Sequence, residues 1–170
     1  MKRWIVLFIL ITFSTIIYAQ KYAYVDTDYI LSNIPAYKAA QDKLNSLSAD
    51  WQKEIEQEYE QVNKLYQEFQ TEKVLLTNEL IKQKEAELAQ KENDVKSLQF
   101  KYFGPQGELF QKRQELIRPI QDEVYNVIKE LAESGNYAII FDTAAGATIL
   151  FTDPKYDKSD EVLEKLGYKN

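Results

Sequence analysis

AYKAAQDKLNSLSADWQKEIEQEYEQVNKLYQEFQTEKVLLTNELIKQKEAELAQKENDVKSLQFKYF, residues Ala36 to Phe103, runs for 68 residues without a glycine or a proline. Each Gly in a helix interior costs about 1 kcal/mol and each Pro about 3, so the run favours helix throughout. As one straight helix it would reach on the order of 100 Å. A chain of 170 residues cannot bury such a rod in one globule. The run must fold back on itself, pair with other chains or stand in solvent.

Its apolar residues favour folding back. On the outward half they fall at Leu44, Leu47, Trp51, Ile55, Tyr59, Val62, Tyr66, Phe69 and Leu76, mostly three or four apart, the spacing of a coiled-coil seam. The return half carries Ile81, Leu88, Val95, Leu98 and Tyr102, interrupted by Lys84 and Lys91. Between them Thr77 is placed to cap a new helix, with Leu76 and Ile81 at the two positions of a hydrophobic staple. Folding about residue 75 sets Phe69 opposite Ile81, Val62 opposite Leu88 and Ile55 opposite Val95. The expectation is an antiparallel hairpin about 50 Å long with its tip near 73–78. A single unbroken helix paired with copies of itself is the alternative.

Working outward, Gly104-Pro105-Gln106-Gly107 interrupts the return arm and predicts a kink over 104–107, with Gly104, Pro105 and Gly107 as a hinge. Helical pattern resumes to Leu131; Pro119 either bends it or opens a new helix after Arg118, with a bend expected, and Gly135-Asn136 stops it. The arm is thus assigned to 36–135. Residues 20–35 and 136–170 form a body of three short strands, Tyr22–Asp26, Tyr137–Asp142 and Ala147–Thr152, the last two as a hairpin, followed by a helix capped by Ser159. Three strands and one short helix make a poor core with open edges. Sister subunits are expected to complete the sheet, with Tyr24, Val25, Ile139, Phe141, Ile149 and Phe151 in the oligomer body. The fold class is α+β.

Met1-Lys2-Arg3 followed by Trp4 to Ile11 and a small Ala19 reads as a signal peptide over 1–19, cut near Ala19–Gln20. Loss of Lys2 and Arg3 leaves 19 basic against 27 acidic residues, a net charge of −8, which argues against gripping nucleic acid. The chain has no Cys and no His. An exported protein of this kind depends on packing or oligomerisation, without disulfides, and lacks the commonest general base and metal ligand. Asp26, Asp28, Asp142, Asp153 and Asp157 lie near strand ends, where carboxylates serve as caps and Asx turns more often than as a site. Over 36–103 there are 10 basic and 13 acidic residues, a solvated face rather than a nucleic-acid patch. No catalytic residue, cofactor or metal is assigned.

The order of Tyr24-Val25-Asp26, a long charged helix, Phe103-Gly-Pro-Gln-Gly-Glu-Leu-Phe110, Arg113-Gln-Glu-Leu-Ile-Arg-Pro-Ile120, Tyr137-Ala-Ile-Ile-Phe-Asp142 and Asp157-Lys-Ser-Asp-Glu-Val-Leu163 resembles the Skp/OmpH family of periplasmic chaperones in its Bacteroidetes-like form. The resemblance covers essentially the whole mature chain. It implies a homotrimer with a small β-barrel body, whose arms surround unfolded outer-membrane proteins. It therefore implies a periplasmic, ATP-independent holdase and no enzyme. The best-known members are strongly basic and this chain is acidic, so no membrane-surface contact is carried over. Val74, Leu75 and Leu76 at the tip, with Trp51, Tyr59, Tyr66 and Phe69 along the arm, are the candidate client contacts. The rival reading is an adaptor whose coiled hairpins dock onto an envelope complex.

Overall fold

The computed structural model describes residues 20–144, 146 and 149–168; the proposed signal peptide and Ala147–Thr148 of the expected third strand lie outside them. The chain divides into two compact units, one of residues 34–123 and one of the flanking residues 20–33 and 124–168.

The central unit begins with α2, Pro35–Glu72, following a short α1 (Thr27–Ser32) in the flanking unit. Pro35 opens α2 at no cost, because the first turn has no use for its missing N–H. The chain reverses through a 3-10 turn at Lys73–Leu75 and returns as α3, Asn78–Phe103, whose Thr77 hydroxyl accepts the Leu80 amide. Ile55, Val62, Val95 and Tyr102 form one buried cluster, with Trp51, Leu98 and Phe103 packed on it. The expected pairing of Ile55 with Val95 is therefore present, and the run is an antiparallel hairpin.

The phase of the seam differs from the expected one. Buried Ile55, Val62 and Phe69 are seven residues apart, and Leu65 between the last two is half-buried. Tyr59 and Tyr66, four residues after Ile55 and Val62, fall beside the seam and stay exposed. A strict seven-residue repeat leaves no room in its two-position stripe for an additional tyrosine per heptad.

After the Gly104–Gly107 corner come α4, Glu108–Leu116, and α5, Arg118–Gly135. Ile117 and the α2 residues Ala40 and Leu44 form a second buried cluster, covered by Tyr37, Leu109, Leu116 and Ile120. The expected bend at Pro119 is instead the start of a new helix. Pro119 is the second residue of α5, where the absent N–H removes no ladder bond.

In the flanking unit, β1 (Lys21–Val25) pairs in parallel with β2 (Tyr137–Asp142). Among the described residues there is no hairpin between β2 and the expected strand Ala147–Thr152: the described part, Ile149–Thr152, has no regular structure. Strand geometry is held by neighbouring backbone, and β1's other edge is occupied by Asp157 and Lys158, whose amide donates to the Tyr24 carbonyl at 2.9 Å. Asn136 takes the left-handed conformation that ends α5, with φ of 53°, while a Cβ on Gly135 would strike the Tyr137 ring.

Ala23 and Val25 of β1, Ile30 and Leu31 of α1, Val124 and Leu131 of α5, and Val162 and Leu163 of α6 (Ser159–Lys165) are all buried. Each of the valine, leucine and isoleucine side chains contributes about 1.5–3 kcal/mol relative to exposure. Ser159 does not cap α6. Its hydroxyl donates to Asp157 Oδ1 at 2.6 Å and accepts the Asp26 amide at 2.9 Å, tying the end of β1 to α6. The N-cap position falls to Lys158, which makes no side-chain capping bond, while Asp157 Oδ1 accepts the Ser159 amide in an Asx turn just outside the helix.

Candidate functional site

Two apolar surfaces stand out, one in each unit. The first is the hairpin tip. Lys73 Nζ pairs with Glu85 at 3.0 Å on the exposed side of the turn and lies 5.2 Å from the centroid of the Phe69 ring. The 3-10 turn then leaves Val74 and Leu75 86% and 85% exposed. Two adjacent side chains so bare, held out by a closed turn, form a small sticky cap. Leu76 is half-buried, and so is Ile81, in keeping with a staple across the start of α3.

The other sequence-predicted arm residues divide by environment. Phe69 is buried beneath Lys73. Trp51 stacks on Tyr102 with ring centroids 4.9 Å apart and planes at 6°, and meets Phe103 edge-on at 6.4 Å. Tyr59 and Tyr66 are exposed. Sequence reading passed over Phe100, which is 69% exposed on α3, and Phe110 on α4, which is also exposed. The signal for Phe100 was available: it falls off the register of Ile81, Leu88, Val95 and Tyr102, and so had to point outward.

The glycine corner is close-packed. A Cβ on Gly104 would lie 2.4 Å from the Phe100 carbonyl oxygen, and one on Gly107 would lie 2.7 and 2.8 Å from the carbonyl oxygens of Lys101 and Tyr102. Glycine is therefore required at both positions by close backbone approach. Lys101 and Glu108 pair across the corner at 3.3 Å. Just before it, the Tyr102 hydroxyl donates to Glu54 Oε2 at 2.8 Å. That bond to a carboxylate, with burial, holds the phenol's pKa above its ordinary value.

The second surface lies on the strand pair. The register sets Tyr22 beside Ile139 and Tyr24 beside Phe141 on one face, away from the inward Ala23 and Val25. Ile139 and Phe141 are exposed, as is Ile149, while Leu150 and Phe151 are 95% and 83% exposed. An open cleft of about 1100 Å³ is lined here by Tyr22, Tyr24, Tyr137, Phe141 and Ile149–Phe151, with Gln20 at its edge. Tyr24 is partly buried and Val25 buried, so the six body residues expected from the sequence span both faces of the sheet.

The carboxylates near the strand ends are engaged locally. Asp26 Oδ1 accepts the Tyr29 amide and caps α1. Asp28 lies in the first turn of α1. Asp142 accepts the amide and hydroxyl of Thr27 and the amide of Ala144. Asp153 caps the turn at Pro154–Tyr156, and the neighbouring Lys155 holds its carboxyl below the usual range. Among the described residues, no group of three potential ligands is arranged to hold a metal ion, and no helix is long and apolar enough to cross a membrane.

A family model described as Outer membrane protein (OmpH-like) matches residues 21–166. The fold is similar to that of an OmpH-like protein of Caulobacter crescentus, named in its crystal structure for an outer membrane chaperone role. The TM-score is 0.66 and the identity 16%, over 87% of this chain and 84% of that one. No curated protein matches the sequence. The helical hairpin, the small parallel strand pair and the matched span of 21–166 make this chain a member of the OmpH-like family.

Proposed function

We propose that the protein is a periplasmic, ATP-independent holdase chaperone, without enzymatic activity, that keeps unfolded outer-membrane proteins from aggregating. The observation that carries the reading is the closed hairpin tip presenting Val74 and Leu75 almost fully to solvent in a chain of the OmpH-like family. An unfolded β-barrel precursor exposes apolar strands that pair and aggregate. A bare valine and leucine, supported by Leu76 and by Tyr59 and Tyr66 along α2, offer weak contacts that release a client without an energy source. Trp51 and Phe69 contribute by fixing the arm. The chain is exported by cleavage of residues 1–19 and acts as a homotrimer, which the uncovered face around Ile139, Phe141, Ile149 and Phe151 supports. Gly104, Pro105 and Gly107 form the joint about which the arm adapts to clients of different size.

The experiment is dilution of a urea-unfolded outer-membrane protein into buffer with stoichiometric chaperone, followed by light scattering. Suppression is expected, and it should weaken when Val74, Leu75 and Leu76 are changed to Ser while the oligomer persists. A correctly folded oligomer that leaves scattering unchanged would sink the reading. Crosslinking in the periplasm should capture mixed outer-membrane precursors; capture of one folded partner would instead identify an adaptor.

A further inference from the structure

The exposed apolar surface of the arm is made without sulfur. Val74 and Leu75 cap the tip, Tyr59 and Tyr66 stand out along α2, and Leu80 and Phe100 along α3. Surfaces that must fit many sequences are commonly rich in methionine, whose flexible thioether repacks around whatever it meets. This chain has one methionine, Met1, within the proposed leader, and no cysteine. Residues 20–170 therefore contain neither of the side chains that peroxide oxidises most readily. Resting on the holdase reading, we propose that the protein is a chaperone for oxidising conditions. Its arm goes on holding unfolded chains through an exposure to peroxide that would disable a sulfur-bearing surface.

A methionine at the tip would be altered by such exposure. Its thioether sulfur takes one oxygen atom from hydrogen peroxide, the O–O bond breaks and water leaves. The sulfur is oxidised by two electrons as the peroxide is reduced, and a polar sulfoxide replaces an apolar contact. Valine and leucine have no lone pair to accept that oxygen, so the cap stays apolar. The structure beneath it has the same character. Ile55, Val62, Val95 and Tyr102 build the buried cluster of the seam. Trp51, the one tryptophan beyond the leader, is half-buried, with one ring face stacked on Tyr102 and Phe103 against its edge. The turn is bridged by Lys73 and Glu85, which carry no sulfur either. With no His and no Cys, the chain also lacks two common anchors for the copper or iron that direct peroxide damage to nearby residues.

The test treats the folded protein with millimolar hydrogen peroxide, removes the peroxide with catalase, and then adds a urea-unfolded outer-membrane protein under light scattering. Capture is expected to match that of untreated protein, and peptides from residues 20–170 should show no gain of about 16 Da, one oxygen atom. Capture lost only after treatment would overturn the inference and leave the holdase reading standing. Untreated protein that holds no client would overturn both. Val74→Met with Leu75→Met puts sulfur at the tip, where the exposure of both positions leaves room for the longer side chains. Compared with itself before treatment, this variant should hold client about two- to tenfold less tightly once both sulfoxides have formed. Methionine sulfoxide reductases should reverse the loss. A variant that carries both sulfoxides and holds client as before would show that a sulfur-free tip makes no difference, and would overturn the proposal.

Discussion

The two ends of the hairpin are built differently. Near the glycine corner, Trp51, Ile55, Val95, Leu98, Tyr102 and Phe103 interlock, with stacked rings and a hydrogen bond from Tyr102 to Glu54. Near the tip, Phe69 is buried under Lys73, Ile81 is only half-buried, and the turn is bridged by one exposed ion pair. Exposed ion pairs stabilise by about 0–1 kcal/mol, less than one well-buried aliphatic side chain. One seven-residue pattern thus yields a firm root and a loosely held tip. Under the proposed holdase reading, client contacts at the tip would sit where local opening costs little.

The strongest test of that contrast compares cavities. Ile55→Ala should cost about 2–5 kcal/mol, while Phe69→Ala, although it removes a larger side chain, should cost only about 1–2 because the tip collapses around it. Urea unfolding reads both; a larger loss at Phe69 would break the comparison. Next in size, Gly107→Ala forces a Cβ against the carbonyls of Lys101 and Tyr102 and should cost about 1–3 kcal/mol through strain at the root. An unchanged urea midpoint would mean that the corner yields freely.

Tyr102→Phe should cost about 0.5–1.5 kcal/mol near neutral pH. The folded phenol's pKa is raised above the ordinary 10.0, so the folded state holds that proton more tightly. The associated stability is complete below about pH 10 and is lost as pH climbs through the folded value. Wild type should therefore converge with Tyr102→Phe as unfolding is followed above pH 10, whereas parallel curves would deny the bond to Glu54. The smallest effect belongs to the tip. Val74→Ser with Leu75→Ser should change stability by less than about 0.5 kcal/mol, and a loss comparable to that of Ile55→Ala would show the tip to be structural.

Much of the arm was legible because its signal is local. The absence of Gly and Pro from Ala36 to Phe103, the seven-residue spacing, and Thr77 after Leu76 each act within a few residues of themselves. The seam's phase was misread because tyrosine is both aromatic and polar: Tyr59 and Tyr66 fit a three-four rhythm as well as Leu65 does, and only the partner helix decides which is covered. Pro119 was misjudged because proline bends a helix from its interior and begins one from its first turn, and the sequence alone does not say where that turn lies. Ser159 reads as a cap by residue type, yet it becomes the first residue of the helix, with its hydroxyl bound to Asp157 and to the Asp26 amide, because the approach of Asp26 is a tertiary event.

The sequence by itself determined that a long helical excursion leaves a β segment, reverses near residue 75 and returns to another, since helix propensity and heptad spacing are properties of neighbouring residues. The tertiary structure decided that the strands on either side, Lys21–Val25 and Tyr137–Asp142, pair with each other in parallel, and that Ile149–Thr152 gains no strand of its own. Hydrogen bonding between strands depends on which edges meet in space, and that juxtaposition is set by the whole fold.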